Sequence, residues 1–427
     1  MPLSSVVPEV RKPAPSVDLL CIPQSRFKRP GVWIHFDQMA GEKNSARTLI
    51  AKVLQQGTSG LPSRRRLAAE LEELWGGGFQ LGGRRVGDWH RITLGLRWTA
   101  AGLLPSDAGD LTQPVFDFGR KVLVDPQRGE RGEIVPRGIF ERERSELLRE
   151  IEVLPEDRSA WADELFLQEM CGGEPCAFSP WGRKEDVEKA EADDLESARL
   201  GMIDSSLITV LAAGPVDFSA LETSLLSWLG ERKGSDLLRE LPLVKSPGDL
   251  RESYREADVD QSRFRFGFRV PHPSSLVEKE AQSLAAAVLG GGSQGRLFRI
   301  IREERSLAYG IYASLQPFKG LLLVEAGIDG ASFEEVRDEV LCQVKDLAEN
   351  GPDEEELNRA KIGTLQRWEG VGDTAPGLAA YWGSEHLLGS MSSPEARALM
   401  MDKVDADAIA RAAATWLPDT VFLLGSR

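Results

Sequence analysis

Leu284-Ala-Ala-Ala-Val-Leu-Gly-Gly-Gly292, followed by Leu297-Phe-Arg-Ile-Ile-Arg-Glu-Glu-Arg-Ser-Leu-Ala-Tyr309-Gly310, decides the fold, because the chain carries its pattern twice. The first copy is Thr48-Leu-Ile-Ala-Lys-Val-Leu-Gln-Gln-Gly57, then Leu67-Ala-Ala-Glu-Leu-Glu-Glu-Leu-Trp75-Gly76. Val53-Leu54 matches Val288-Leu289, and Trp75-Gly76 matches Tyr309-Gly310 at an offset only one residue shorter. A nearly shared offset over two apolar, glycine-ended helical runs points to a duplicated unit.

Working outward, each glycine is followed by a pair of β-like runs. In the first half these are Phe79-Gln-Leu and Trp89-His-Arg-Ile-Thr-Leu-Gly-Leu96; in the second, Ile311-Tyr-Ala-Ser-Leu and Leu321-Leu-Leu-Val-Glu-Ala-Gly-Ile328. Their β-branched and aromatic content, bounded by Gly and Pro, predicts meandering strands. Each half is expected to open on a strand, Val32-Trp-Ile-His-Phe36 and Arg263-Phe-Arg-Phe-Gly-Phe-Arg-Val270. The latter alternates strictly, with Phe264, Phe266, Phe268 and Val270 on one face and mostly arginines on the other. Helical patterns follow at 140–154 and 161–170, with 333–349 and 354–368 read as their counterparts, and each half closes on an apolar run, Leu207 to Ala213 and Val421 to Leu424.

Strands separated by blocks of helices predict an α+β fold: two similar domains, each a mostly antiparallel sheet with helices packed on it. The expected division is 1–230, a charged Pro- and Gly-containing linker at 231–258, and 259–427. A chain of 427 residues is long enough for two cores.

The 41% hydrophobic and 28% charged fractions are those of a globular protein, and the net charge of −15 argues against a nucleic-acid partner. The segment from Met1 to Pro30 has prolines and charges where a signal peptide has an apolar run, and no stretch approaches the length of a membrane span. The expected location is the cytoplasm, with no membrane partner. Cys21, Cys171, Cys176 and Cys342 read as free thiols. Cys171-x4-Cys176 offers two metal ligands, with no second Cys or His pair nearby to complete four-coordination.

Arg302 and Tyr309 stand seven residues apart, two turns of a helix, and so are expected on about the same face. A guanidinium and a phenol can donate hydrogen bonds to one carbonyl oxygen, which is what steadying an oxyanion requires. Gly290, Gly291 and Gly292 lack the Gly-Lys-Ser/Thr of a phosphate loop. There is also no Gly-x-Ser-x-Gly elbow.

With its duplicated halves, its Gly-Gly-Gly…Arg-Leu-Phe…Arg-Glu-x-x-Ser-Leu-Ala-Tyr block and its Ile139 to Glu150 helix, the sequence resembles the insulinase/pitrilysin superfamily over nearly its whole length. The form it resembles is the compact bacterial one related to mitochondrial processing peptidase. The resemblance implies two α+β domains that belong to a clamshell around a peptide, and it makes Arg302 and Tyr309 substrate-holding residues. Gly290, Gly291 and Gly292 become a flexible chamber wall that touches substrate.

The family's His-x-x-Glu-His motif would place its histidines at Thr48 and Lys52 and its glutamate at Ala51. A hydroxyl, an ammonium and a methyl group cannot bind zinc or deprotonate water. No two of His35, His90, His272 and His386 stand four apart, so a displaced copy of the motif is excluded. Glu150 matches the third ligand and Glu143 its neighbour; both are expected as helix-surface carboxylates, paired with Arg142 or Arg149, or with Glu150 joined to Lys52 in a degenerate site. His35 and His90 are expected as core or edge residues.

The resemblance therefore implies a zinc-less subunit with no cofactor of its own and no peptidase activity alone. It would supply Arg302 and Tyr309 to a zinc-bearing insulinase-like partner in a heterodimer acting on peptides, and form at most a homodimer in isolation. The alternative is a non-proteolytic scaffold or binding protein on the same fold.

Overall fold

Phe264, Phe266 and Phe268 are fully buried along one face of a strand, and the intervening Arg265 and Arg269 are buried on the other. Such a strand needs cover on both faces, and the way it is covered defines the molecule. The computed structural model describes residues 7–236 and 240–426. The ends of the chain, 1–6 and 427, and residues 237–239 of the expected linker lie outside the described residues.

The first sheet contains β1 (Glu9–Ala14), β2 (Val17–Pro23), β3 (Gly31–Met39), β4 (Gly78–Val86), β5 (Trp89–Arg97) and β6 (Leu207–Gly214), in the order β1-β2-β6-β3-β5-β4. The second contains β7 (Arg251–Arg255), β8 (Ser262–Arg269), β9 (Ala308–Gln316), β10 (Leu321–Ile328) and β11 (Leu417–Leu424), in the order β7-β11-β8-β10-β9. Pairing is antiparallel except for β2 with β6 and β7 with β11. This is the α+β architecture of two sheet-plus-helix units. The first half opens on the hairpin β1–β2 before the strand expected at Val32. Part of the stretch read as linker, Arg251–Arg255, is built into the second sheet beside β11.

One face of each sheet carries its own helices. In the first unit Ile34, Phe36, Ile92 and Leu94 pack with Leu49, Leu54, Phe116 and Leu147. In the second, the β8 phenylalanines pack with Leu284, Leu289, Phe333 and Val340. The opposite faces are covered by exchange. The helix Arg158–Met170 of the first half lies on the second sheet, where Phe166 and Met170 meet Leu321, Leu323 and Phe422. A methyl group at Gly267 would come within 2.3 Å of Met170 Sδ, so this close seat requires glycine. Reciprocally, the helix Ala375–Leu387 of the second half lies on the first sheet, with Leu378 and Trp382 against Leu20, Trp33 and Leu211.

This exchange corrects the expected helix pairing. By position on the sheets, 158–170 corresponds to 375–387 and not to 354–368. The offset of one helix arises from Thr112–Val124, an additional helix of the first half that precedes 137–153.

The exchanged helices are fastened by buried charges. Arg265 reaches Asp163 at 2.6 Å, and Arg269 bonds Glu174 at 2.8 Å and Asp419 at 2.6 Å. Lys319, in the turn between β9 and β10, reaches across to Asp88 at 2.8 Å and Glu174 at 2.6 Å. His386 meets Asp18 at 2.9 Å. The buried ions Arg269, Lys319, Asp88, Glu174 and Asp419 compensate one another, and removing one partner of a buried pair typically costs about 3–5 kcal/mol. The two units are therefore interlocked within one chain.

Candidate functional site

The place where the first half would hold a metal lies on the helix Asn44–Leu54. Thr48 and Ala51 are buried, and Lys52 is near the helix end. Thr48 Oγ1 donates to the Pro180 carbonyl at 2.6 Å and lies 3.2 Å from His90 Nε2, which is itself 3.1 Å from the same carbonyl. His90, expected only as a core or edge histidine, is thus a member of this site. The β4–β5 hairpin brings it there, a long-range pairing that sequence spacing does not display. Burial, aided by Arg47, pushes its imidazole down to about 4, so it is neutral near pH 7.

The segment carrying Pro180 is seated closely. Asn44 Nδ2 donates to the Ser179 carbonyl at 3.0 Å, and Gly182, at φ +83°, lies where a methyl group would overlap Ser45 Oγ. The helix Arg137–Val153 supplies the acidic residues. Lys52 Nζ donates to Glu150 Oε1 at 2.6 Å, forming the ion pair expected of a degenerate site. Glu143 pairs with Arg142 at 3.0 Å but is buried, not on the helix surface as expected. Arg149 pairs with Glu146 instead of either candidate carboxylate. These residues do not fit zinc: a hydroxyl, a methyl group and an ammonium stand at the three helix positions, and the ammonium neutralises Glu150.

The second-half site differs from expectation in its backbone. Arg302 lies in a seven-residue π-helix, Phe298–Glu304, and Tyr309 lies in β9, so the two do not share a helix. Ser306, at φ +55°, turns the chain between them. Tyr309 sits where the β9–β10 register shifts, between the partners of Gly327 and Ile328. The extra residue of this bulge lets Ala308 and Ile311 both face the core while Tyr309 projects outward.

The Arg302 guanidinium stands over the Phe298 ring at 4.6 Å, and that ring lies 6.2 Å from Tyr312. Arg302 is exposed and Tyr309 is 74% exposed. Among the described residues, neither side chain hydrogen-bonds to another residue. Both are available to a ligand, and exposed Tyr312 on the edge strand β9 joins them; the sequence reading passed it over as a strand residue.

Gly290, Gly291 and Gly292 follow a packing logic. Gly290 is buried at the end of the helix Leu276–Gly290, and a methyl group there would come within 2.5 Å of Ala313 N on β9. Gly291 packs against Ala287, and Gly292 takes φ +113°. Close approach of helix to strand accounts for the first two and the turn for the third.

Beside β9 a cleft of about 940 Å³ is lined by Ser314, Trp368 and Tyr381 and by a charged network. Lys279 bonds Glu385 at 2.6 Å, and Arg397 bonds Glu280 at 2.6 Å and Glu385 at 3.3 Å. Its charges satisfy one another. Cys171, Glu174 and Cys176 bring their ligand atoms within 4.8 Å of one another. Glu174 is already held on both oxygens by Arg269 and Lys319, so the trio does not complete a cation site. Among the described residues, no helix is long and apolar enough to cross a membrane.

Residues 189–364 match the family described as peptidase M16 inactive domain. A probable inactive metalloprotease of Bacillus subtilis, YmfF, is 24% identical over 78% of both chains. An uncharacterized zinc protease of Mycobacterium tuberculosis, Rv2782c, is 30% identical over 52% of this chain, and the match spans about half (51%) of that relative's length. Among solved structures, a conserved protein from Enterococcus faecalis superposes with a TM-score of 0.87 over 99% of both chains at 19% identity, a likeness of fold. With the duplicated sheets and the degenerate helix site, these matches give residues 189–364 as a peptidase M16 inactive domain and make the chain as a whole similar to the insulinase/pitrilysin (peptidase M16) family, without the His-x-x-Glu-His zinc ligands.

Proposed function

We propose that this chain is the zinc-less subunit of a two-subunit insulinase-like peptidase, presenting Arg302 and Tyr309 to a peptide held by a partner with an intact metal motif. The observation that carries the reading is the contrast in satisfaction. Lys52 and Glu150 neutralise each other, whereas Arg302 and Tyr309 are exposed donors whose side chains hydrogen-bond to no other described residue. A guanidinium and a phenol of this kind can bind a substrate carbonyl or its oxyanion.

The interlocked sheets support the need for a second chain. A chamber opening between the two units would break the Lys319 and Arg269 ion pairs and uncover two apolar interfaces. A chamber closed by a partner breaks neither. The four free cysteines fit a reducing compartment such as the cytoplasm.

The test is co-expression with a neighbouring gene product that carries His-x-x-Glu-His, followed by peptidase assay of the complex. Arg302→Ala and Tyr309→Phe are expected to slow cleavage roughly ten- to a thousand-fold, mainly in kcat, with complex formation intact. Unchanged kcat in an intact complex would leave the scaffold role.

A further inference from the structure

The six residues Cys171-Gly-Gly-Glu-Pro-Cys176 link the exchanged helix Arg158–Met170 to the rest of the first half, and neither thiol has a part in the proposed peptide site. Both sulfurs are buried, and they lie within 4.8 Å of each other. The loop that joins them is short and adaptable: the Glu174 N–H donates to the Cys171 carbonyl at 2.8 Å, and Gly173, at φ +77°, has open space around it. Closing to a bond of about 2.05 Å is a local movement for such a turn.

The surroundings distinguish the two thiols. Contact with Cys176 and the positive charge of Arg269 and Lys319 hold Cys171 below the usual thiol range despite its burial. The same contact and burial push Cys176 up. A favoured thiolate beside a protonated partner is the arrangement of an attacking and a resolving cysteine.

We propose that Cys171 and Cys176 are a redox modification site, a dithiol converted reversibly to an intrachain disulfide by a small-molecule disulfide of the glutathione class. The Cys171 thiolate attacks one sulfur of the oxidant, whose S–S bond breaks and releases one thiolate. Cys176 then gives its proton to solvent and attacks the mixed disulfide at Cys171, releasing the second thiolate. Two protein thiols are oxidised and one disulfide is reduced to two thiols.

The site is coupled to the ionic junction. The Cys176 N–H donates to Asp88 Oδ1 at 3.1 Å, and Asp88 also holds Lys319. Drawing Cys176 toward Cys171 pulls on that carboxylate, so oxidation is expected to lower the protection of the β9–β10 turn around Lys319 against hydrogen exchange.

The experiment treats the full chain with oxidised glutathione and follows each cysteine by peptide mass. Cys21 is the internal control, because it is equally buried and burial pushes its thiol up to about 11. Exposed Cys342 reports that oxidant is active. A 171–176 disulfide is expected to form at least about tenfold faster than any modification of Cys21. Cys176→Ser should stop at a glutathione adduct on Cys171, and Cys171→Ser should leave Cys176 unmodified. As a second measurement on the unmutated chain, phenylarsine oxide should bridge the two sulfurs one to one. Free thiols at both positions after Cys342 has fully reacted would overturn the proposal, as would failure of the arsenical to bridge them.

Discussion

Two sites on different runs of the duplicated pattern stand in opposite states. In the first half, Thr48, His90 and the Pro180 carbonyl close on one another, and Lys52 closes on Glu150. In the second, Arg302 rests on an aromatic ring and Tyr309 stands in solvent on a strand bulge. The difference teaches how a catalytic position is retired. A lost ligand set leaves buried polar groups that must find partners within the chain, and once they do they are part of the stability of the fold. An exposed donor carries no such debt and keeps its availability.

The comparison makes stability the sharpest way to break it. Restoring the family motif by Thr48→His, Ala51→Glu and Lys52→His should be strongly destabilising. Ala51 is buried, so a glutamate there is an uncompensated charge costing about 3–5 kcal/mol. Thr48 already touches the Pro180 oxygen at 2.6 Å, and an imidazole must displace that segment. Arg302→Ala with Tyr309→Phe should change stability by no more than about 0.5 kcal/mol. Urea denaturation of both variants decides the matter, and a restored motif as stable as the parent would dissolve the contrast.

A smaller effect sharpens it through pH. His90 titrates near 4 in the folded chain against an ordinary value of about 6.5, so the unfolded chain binds its proton first as pH falls. The stability due to neutral His90 is fully present above about pH 6.5 and is lost progressively between there and about pH 4. The slope is at most about 1.4 kcal/mol per pH unit. His35, held well below its ordinary range by burial, contributes in the same direction. The informative quantity is therefore the difference between the parent and His90→Gln across that window. Parallel curves would show that His90 is not held neutral at this site.

How much of this was readable beforehand follows from the range of each interaction. The duplication, the alternation along β8 and the altered metal positions are local patterns, and they carried the fold class and the loss of the zinc motif. The Lys52–Glu150 pair was also within reach, because two helices of known family geometry place those residues together. The exchange of 158–170 and 375–387 was not, since Phe166 against Phe422 and Trp382 against Leu211 join elements far apart in the chain and each helix looks like an ordinary amphipathic one. His90 escaped for the same reason: its partners come from 48 and 180. Around Arg302 the failure was one of period. A π-helix and a bulge shift the phase of side chains, so a spacing of seven no longer means two turns.

The smallest expected effect bears on how the first site stays closed. Lys52 and Glu150 are separated by only 2.6 Å, but their side chains are 22% and 40% exposed. Water screens such a pair, and its coupling in a double-mutant cycle of Lys52→Met and Glu150→Gln should lie below about 1 kcal/mol and shrink further in high salt. A coupling above about 2 kcal/mol would mean that the ion pair itself stabilises the degenerate site. The smaller value would assign closure to the buried group of Thr48, His90 and Pro180, with Lys52 acting mainly by occupying the carboxylate a metal would need.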